Sequence, residues 1–311
     1  MPEGHSVHRI ARQFQRNFIG SRVAVSSPQG RFADGAARLD GRVITAAHAV
    51  GKQMFLEVDD GLWLRVHLGL YGAWDFAGEI LMDLPETSVL DSAGENSLSS
   101  IGAPRRARLR MSEGEKVTDA PVVFPAEPVG QVRVRLLSET VVADLRGPTA
   151  CEVLDPQQVE TVMMRLGPDP ELDNSEVARD RFTSVVRRKP TPIARLLMDQ
   201  SVVSGIGNVY RAEMLFRARL NPHAPGKTLG VAAVHALWAD WGFLLHIGIE
   251  TGQMMTRDDL AGRELAQAMK NRADRHWVYK REGLPCRVCG THIVLEEMAT
   301  RKLYWCPQCQ A

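Results

Sequence analysis

The last 26 residues carry four of the chain's five cysteines, as Cys286-Arg287-Val288-Cys289 and Cys306-Pro307-Gln308-Cys309, with sixteen residues between the pairs. Two C-x2-C knuckles at this spacing deliver four thiolates to one point. That is the donor set of a tetrahedral structural Zn2+ with no coordination position left for chemistry. His292 lies between the pairs, but four cysteines already complete the shell. Ile293–Leu295 and Leu303–Trp305 read as the two strands of a hairpin, with Thr300-Arg301-Lys302 near its turn. The fifth cysteine, Cys151, stands alone and reads as a small core residue. No basic-then-apolar leader opens the chain, and no apolar run approaches the ~20 residues of a membrane span. The expectation is therefore a cytoplasmic protein of the bacterial cytosol or nucleoid, with no membrane partner, where zinc ligation displaces disulfides.

With 311 residues, 44% hydrophobic and 24% charged, the chain has material for two or three domains. The net charge is only +1, but it is unevenly spread: Val177–Asn221 has nine Arg/Lys against three Asp/Glu, and Lys270 onward has eight against four. Basic segments within a neutral chain fit a positive face turned to a polyanion, and equally a solvated helix surface.

Three segments follow from pattern. Residues 1–155 read as an N-terminal helix plus a β-sandwich or barrel. In the helix, Glu3–Phe18, Val7, Ile10, Phe14 and Phe18 form the inward stripe, and His5 and His8 lie on the surface. Alternating runs at Val23–Val25, Arg42–Ala47, Met54–Val58 and Trp63–His67 follow, then a hairpin around Ser138-Glu139, and Asp144–Pro148 closes the β region. Residues 83–130 show little pattern apart from a candidate strand at Arg105–Met111, and read as an irregular insertion. Residues 156–276 turn helical. A break falls at Leu166–Pro170, a helix opens at Pro192 and runs to about Val203, a second follows Ser204-Gly205-Ile206-Gly207-Asn208, and a long helix spans Val231–Ile247. Residues 277–311 form the zinc hairpin. The fold class is α+β and multidomain.

Several residues admit a chemical reading beside a plain one. If Met1 is removed, Pro2 presents a secondary amine, and α-amino groups titrate near ~7.7–8.0. Such an amine attacking a sugar C1′ gives an iminium with a fixed positive charge, which acidifies the adjacent C–H and favours elimination. Glu3 lies beside it as a proton shuttle. The plain reading is an idle terminus. Lys52, at a hairpin tip, points either to water or to a phosphate. Leu70 and Tyr71, between Gly69 and Gly72, form either a buried turn or an exposed wedge for a base stack. Asn208 either caps the following helix or, with the backbone N–H groups of that turn, meets a phosphate. Arg301 is a solvated turn residue or a forked phosphate clamp.

Taken together, Met1-Pro2-Glu3-Gly4, Gly51-Lys52, His67-Leu68-Gly69-Leu70, Gly205-Ile206-Gly207-Asn208-Val209-Tyr210 and Arg301 before Cys306-Pro307-Gln308-Cys309-Gln310 resemble the formamidopyrimidine-DNA glycosylase / endonuclease VIII family, in the family's own order. Leu70-Tyr71-Gly72 and the stretch 144–154 are more similar to the endonuclease VIII branch, of an actinobacterial type. The resemblance implies a monomeric bifunctional DNA glycosylase and lyase acting on oxidised bases, pyrimidines above all, in damaged double-stranded DNA. Pro2 is then the nucleophile and Glu3 the proton donor and acceptor. Lys52, Asn208 and Arg301 hold phosphates, and Leu70 with Tyr71 fills the gap left by the flipped nucleotide. Zinc on Cys286, Cys289, Cys306 and Cys309 is structural. Three departures stand out: Gly69 replaces a bulkier polar residue common in that branch, Asp144–Gly147 lacks the Arg/Phe pair of the other, and Gly248–Arg275 does not match the loop that covers 8-oxoguanine in that other branch. The rival reading is a non-catalytic zinc-dependent DNA-binding protein, and a zinc-ribbon RNA or translation factor is a third. Both leave Pro2 and Glu3 without a task.

Overall fold

A computed structural model describes residues 2–81, 97–103 and 124–311. The expected strand Arg105–Met111, and most of the 83–130 stretch, lie outside the described residues. The chain divides into two compact units, Met1–Met164 and Arg165–Ala311.

The first unit opens with helix α1 (Gly4–Asn17). Strand β1 (Arg22–Ser26), helix α2 (Ala33–Leu39), and strands β2 (Arg42–Val50), β3 (Gln53–Val58), β4 (Trp63–His67) and β5 (Ala73–Gly78) follow. Strands β6 (Ser100–Gly102), β7 (Val132–Leu137), β8 (Val141–Arg146) and β9 (Ala150–Leu154) and helix α3 (Pro156–Met164) complete it. The strands run β6-β5-β8-β7-β1-β2-β3-β4-β9 in space. Each pairing is antiparallel. Strand β1 is the corner: Arg22 and Val23 pair with β2, while Ala24 to Ser26 pair with β7. Both halves feed one core, Phe76, Val134 and Leu145 from one side and Met54, Leu56 and Leu64 from the other. That is the expected sandwich.

Helix α1 buries the expected stripe, with Phe14 edge-on to Trp74 at 4.9 Å and to Phe76 at 5.3 Å. It is also buried where a surface was expected: His5, His8, Arg9 and Gln13 are all inside. For Arg9 and Gln13 the reason lies in the stretch that showed no pattern. Residues 97–100 cross the helix's polar side, and Gln13 Nε2 donates to the Leu98 carbonyl at 2.9 Å. Three elements were not anticipated. Helix α2 buries only Ala36 and Leu39, too few to show a period. Strand β6 is three residues long. Strand β9 extends the β region past Pro148 to Leu154; it pairs with β4 at the sheet edge, half-buried on both faces, and so carries no alternation.

The second unit holds helices α4 (Glu176–Arg188), α5 (Ile193–Leu196), α6 (Asn208–Arg217), α7 (Val231–Thr251) and α8 (Gly262–Lys270), then strands β10 (Val294–Met298) and β11 (Arg301–Trp305). Helix α5 stops well short of Val203. The Asp199 carboxylate accepts from the Ser201 backbone N–H at 3.0 Å and from its hydroxyl, which turns the chain while Leu197, Val202 and Val203 stay buried. The inward stripe therefore outlasts the helix. Helix α7 is, against expectation, long and apolar enough to cross a membrane. Its Val234, Leu237, Trp238, Trp241, Leu244 and Leu245 are instead the centre of this unit's core. Trp241 stacks edge-on to Tyr210 at 4.9 Å and donates to the Ser204 carbonyl at 3.1 Å, packing α7 behind the turn that precedes α6.

Candidate active site and zinc hairpin

In the first unit, Pro2 and Glu3 are buried at the head of α1. Glu3 is the residue before the first helical turn, in extended backbone, and its carbonyl accepts from Ser6 N at 3.0 Å. A fraying terminus would scatter these residues. Here the packed helix holds them.

Strands β2 and β3 meet in a two-residue tip, Gly51-Lys52, between paired Val50 and Gln53. Gly51 adopts φ +57°, a left-handed conformation that glycine takes without penalty. Lys52 therefore sits on a rigid hairpin. Gln53 pairs across β4 with His67, and burial, then Lys52 and Arg65, push the His67 imidazole below its ordinary range.

The turn after His67 leaves Leu70 and Tyr71 exposed, not buried. Gly72 N donates to the Leu68 carbonyl at 3.0 Å, Leu68 is buried, and Leu70 and Tyr71 project with 40% and 68% of their surface exposed. Gly69 is at φ +64°, and a Cβ there would lie 1.8 Å from Thr149 Oγ1. The glycine that departs from the family pattern is thus required by this turn's packing. Arg146 pairs with Asp75, and Arg135 grips both Asp144 oxygens at 2.7 and 2.8 Å, so the 144–147 stretch is tied into the sheet. Cys151 packs against the core, and burial pushes its thiol up to about 12, so it is inert at neutral pH.

In the second unit, Asn208 does not cap α6. Gly207 occupies that position and Asn208 is the first helical residue. Its Nδ2 donates to the Lys302 carbonyl at 2.8 Å. The fully buried Arg211 donates from Nη2 to Asn208 Oδ1 and, at 3.0 Å, to the same carbonyl. Asn208 is thereby brought beside Arg301, which opens β11 after a turn whose Ala299 and Thr300 are both left-handed. Sequence reasoning missed two residues here. Arg211 is one. The other is Glu213, whose buried carboxylate accepts from Trp277 N, Val278 N and Tyr279 N at 2.7 to 2.9 Å and from the Thr256 hydroxyl. Their signal was a charge on the inward side of an otherwise apolar helix.

The four cysteines converge, with every Sγ within 4.8 Å of the others. Cys286–Cys309 and Cys289–Cys306 are 3.9 and 3.5 Å apart. A tetrahedral ion with Zn–S bonds of ~2.3 Å needs S–S edges of about 3.8 Å. The residues therefore fit one structural zinc. Backbone N–H groups of Val288 and Cys309 point at Cys286 and Cys306 sulfurs at 3.5 Å, as knuckles that orient thiolates do. Gln310, also buried, anchors the second knuckle: its Oε1 accepts from Cys306 N at 2.9 Å and its Nε2 donates to the Leu220 carbonyl.

A sheet unit with a buried Pro-Glu head, and a helical unit ending in a zinc hairpin, define an architecture that three family models describe in order. They are the formamidopyrimidine-DNA glycosylase N-terminal domain over residues 1–120, the formamidopyrimidine-DNA glycosylase H2TH domain over 166–259, and the zinc finger found in FPG and IleRS over 283–311. Endonuclease 8 1 of Mycobacterium tuberculosis (strain ATCC 25618 / H37Rv) is 39% identical over 310 residues, covering 100% of both chains. A formamidopyrimidine-DNA glycosylase of Acidovorax sp. (strain JS42) is 30% identical over 314 residues, covering 100% of this chain and 99% of its own. Among solved structures, a Lactococcus lactis FPG mutant in complex with Fapy-dG-containing DNA shares the fold at a TM-score of 0.70 and 19% identity, over 99% of each chain. The chain belongs to the formamidopyrimidine-DNA glycosylase / endonuclease VIII family.

Proposed function

We propose that this protein is a bifunctional DNA glycosylase and abasic-site lyase for oxidised bases. The observation that carries the proposal is the full-length match to endonuclease 8 1, at 39% identity without a truncated segment. The rival reading, a DNA-binding protein without catalysis, gives Pro2 and Glu3 no role.

In the mechanism we propose, removal of Met1 frees the Pro2 nitrogen, which attacks C1′ of the damaged nucleoside. Glu3 supplies a proton as the sugar ring opens and the base leaves with the bonding pair. The resulting iminium withdraws electrons from C2′, so a proton is lost there and the 3′ phosphate departs; a second elimination releases the 5′ phosphate. The product is a one-nucleotide gap with phosphates at both ends. A stacked base is out of reach of such an amine, so the nucleotide must be everted at a cost of a few kcal/mol. Leu70 and Tyr71 would fill the vacated space; their exposure on a rigid turn supports that role. Lys52, Asn208 and Arg301 would hold the phosphates around the lesion. Zinc would stiffen the hairpin that carries Arg301 and take no chemical part.

Oxidised pyrimidines are the proposed lesion class, duplex DNA the partner, a monomer the working form, and the cytosol or nucleoid the place. Three functional segments are proposed: a catalytic sheet domain (1–155), a helix–two-turn–helix DNA-binding domain (156–276) and the zinc finger (277–311). The test is excision from otherwise identical duplexes carrying thymine glycol, dihydrouracil, a hydantoin, 8-oxoguanine or uracil. Excision of the pyrimidine lesions ahead of 8-oxoguanine is expected. Excision of none by protein with a processed N-terminus would overturn the reading.

A further inference from the structure

The second unit contains a cavity of about 500 Å³ between the 189–199 segment and the tip of the zinc hairpin. This is within the ~300–1,000 Å³ of ordinary ligand clefts. Four cationic side chains line it, Lys189, Arg195, Arg211 and Arg301, against one carboxylate, Asp199. Small-molecule clefts are mostly apolar with a few placed polar groups. Here four of the ten lining residues are cationic, an excess that favours an anion.

The four cations are not equivalent. Arg211 is fully buried and bonded to Asn208 and the Lys302 carbonyl, so it sets the floor. Lys189 is 3.6 Å from Asp199, whose second oxygen is occupied by Ser201. Arg195 and Arg301 are exposed, and neither has an acidic partner among the described residues. They come from different elements: Arg195 from α5, where Ile193, Ala194 and Leu196 are buried and leave it pointing out, and Arg301 from the start of β11. Two unpaired guanidiniums kept around one cavity repel each other, and an anion between them removes that cost. Guanidinium is the side chain suited to phosphate oxygens, which it meets with two parallel donors.

We propose that Lys189 and Arg195 form a second phosphate subsite, contiguous with Arg301, that grips one further phosphodiester of the strand Arg301 holds. The proposal rests on the reading of this protein as a DNA enzyme. Arg195 provides the contact and Lys189 adds charge, exchanging Asp199 for the phosphate. The site reads no base, since it meets only the backbone.

The experiment measures affinity for a duplex containing a tetrahydrofuran abasic analogue across a salt series, with wild type, Arg195→Gln, Lys189→Gln and Arg195→Lys. Each phosphate contact contributes about 0.9 to the slope of log K against log[salt]. Arg195→Gln is expected to make the slope shallower by about one, whatever the flanking sequence, and Arg195→Lys to restore most of it. Methylphosphonate replacement of single linkages locates the contact. Wild type should weaken at two neighbouring linkages, and Arg195→Gln should become insensitive at one of them. A wild-type slope and an unchanged linkage pattern in Arg195→Gln would overturn the subsite, as would equal loss in Arg195→Gln and Arg195→Lys. Borohydride trapping of wild type on an abasic duplex is run alongside. Its failure sinks the enzymatic reading, while the salt and linkage data still judge the subsite.

Discussion

The two ends of this molecule are held by different physics. At the N-terminus, Pro2 and Glu3 are fixed because α1 drives Val7, Ile10, Phe14 and Phe18 into the sandwich core. At the C-terminus, the small hairpin of β10 and β11 has a short apolar cluster, Phe216, Trp277, Ile293 and Tyr304 among its members, and depends on four thiolates and on polar pins from α6. An apolar core loses stability gradually as side chains are trimmed. A site built on coordination and buried hydrogen bonds fails when a single partner is removed. The placement of Pro2 and Glu3 should therefore tolerate conservative core substitutions nearby, and the Arg301 hairpin should not tolerate loss of one ligand or pin.

Zinc removal breaks that comparison most strongly. Structural zinc contributes on the order of 10–16 kcal/mol of apparent binding free energy in isolated fingers. Chelation, or Cys306→Ser, should abolish hydrogen-exchange protection across 283–311 and leave residues 2–81 protected. Loss spread evenly over both units would contradict it. Next comes Glu213→Ala, which strands three backbone N–H groups, two of them buried; at ~1–3 kcal/mol for each unmet buried donor, a loss of at least about 2 kcal/mol in urea unfolding is expected. Gly69→Ala tests the other unit. The left-handed backbone costs an alanine roughly 1–2 kcal/mol, the clash with Thr149 adds to it, and Thr149→Ala in the same chain should recover part of the loss. The smallest effect is electrostatic. His67 has its pKa lowered in the folded state by burial, then by Lys52 and Arg65. The folded form therefore binds this proton less readily than the unfolded chain, whose imidazole titrates near 6.5. Stability should be full above about 6.5 and fall as pH drops below it. His67→Asn should flatten that part of the pH–stability curve.

Much of this is legible in the sequence. The zinc knuckles, the Gly51-Lys52 tip, the strands on either side of it, the long α7 and the glycine turn before α6 all have signals confined to a few adjacent residues. What stayed hidden depends on partners far along the chain. Arg9 and Gln13 are buried with their side chains bonded to the Ser97 and Leu98 carbonyls, and no pattern in α1 records that. Asn208 reads as a cap from its neighbours, yet its amide is taken by a carbonyl 94 residues away. Helix α5 ends early because Asp199 turns the chain, while the apolar stripe that marked it continues. Arg211 and Glu213 were passed over because a charge inside a helix has no role until its acceptor or donors are in view.

The central claim is that an unblocked Pro2 nitrogen forms a covalent bond to the sugar. It is tested most directly by borohydride reduction of the protein on a duplex with one abasic site, with mass spectrometry of the N-terminal peptide. Protein lacking Met1 should yield one adduct, with the oligonucleotide-derived mass on Pro2, and Pro2→Gly or a protein retaining Met1 should lose excision. Full excision by protein whose residue 2 nitrogen is acylated, or an adduct mapped to a lysine, would contradict the account.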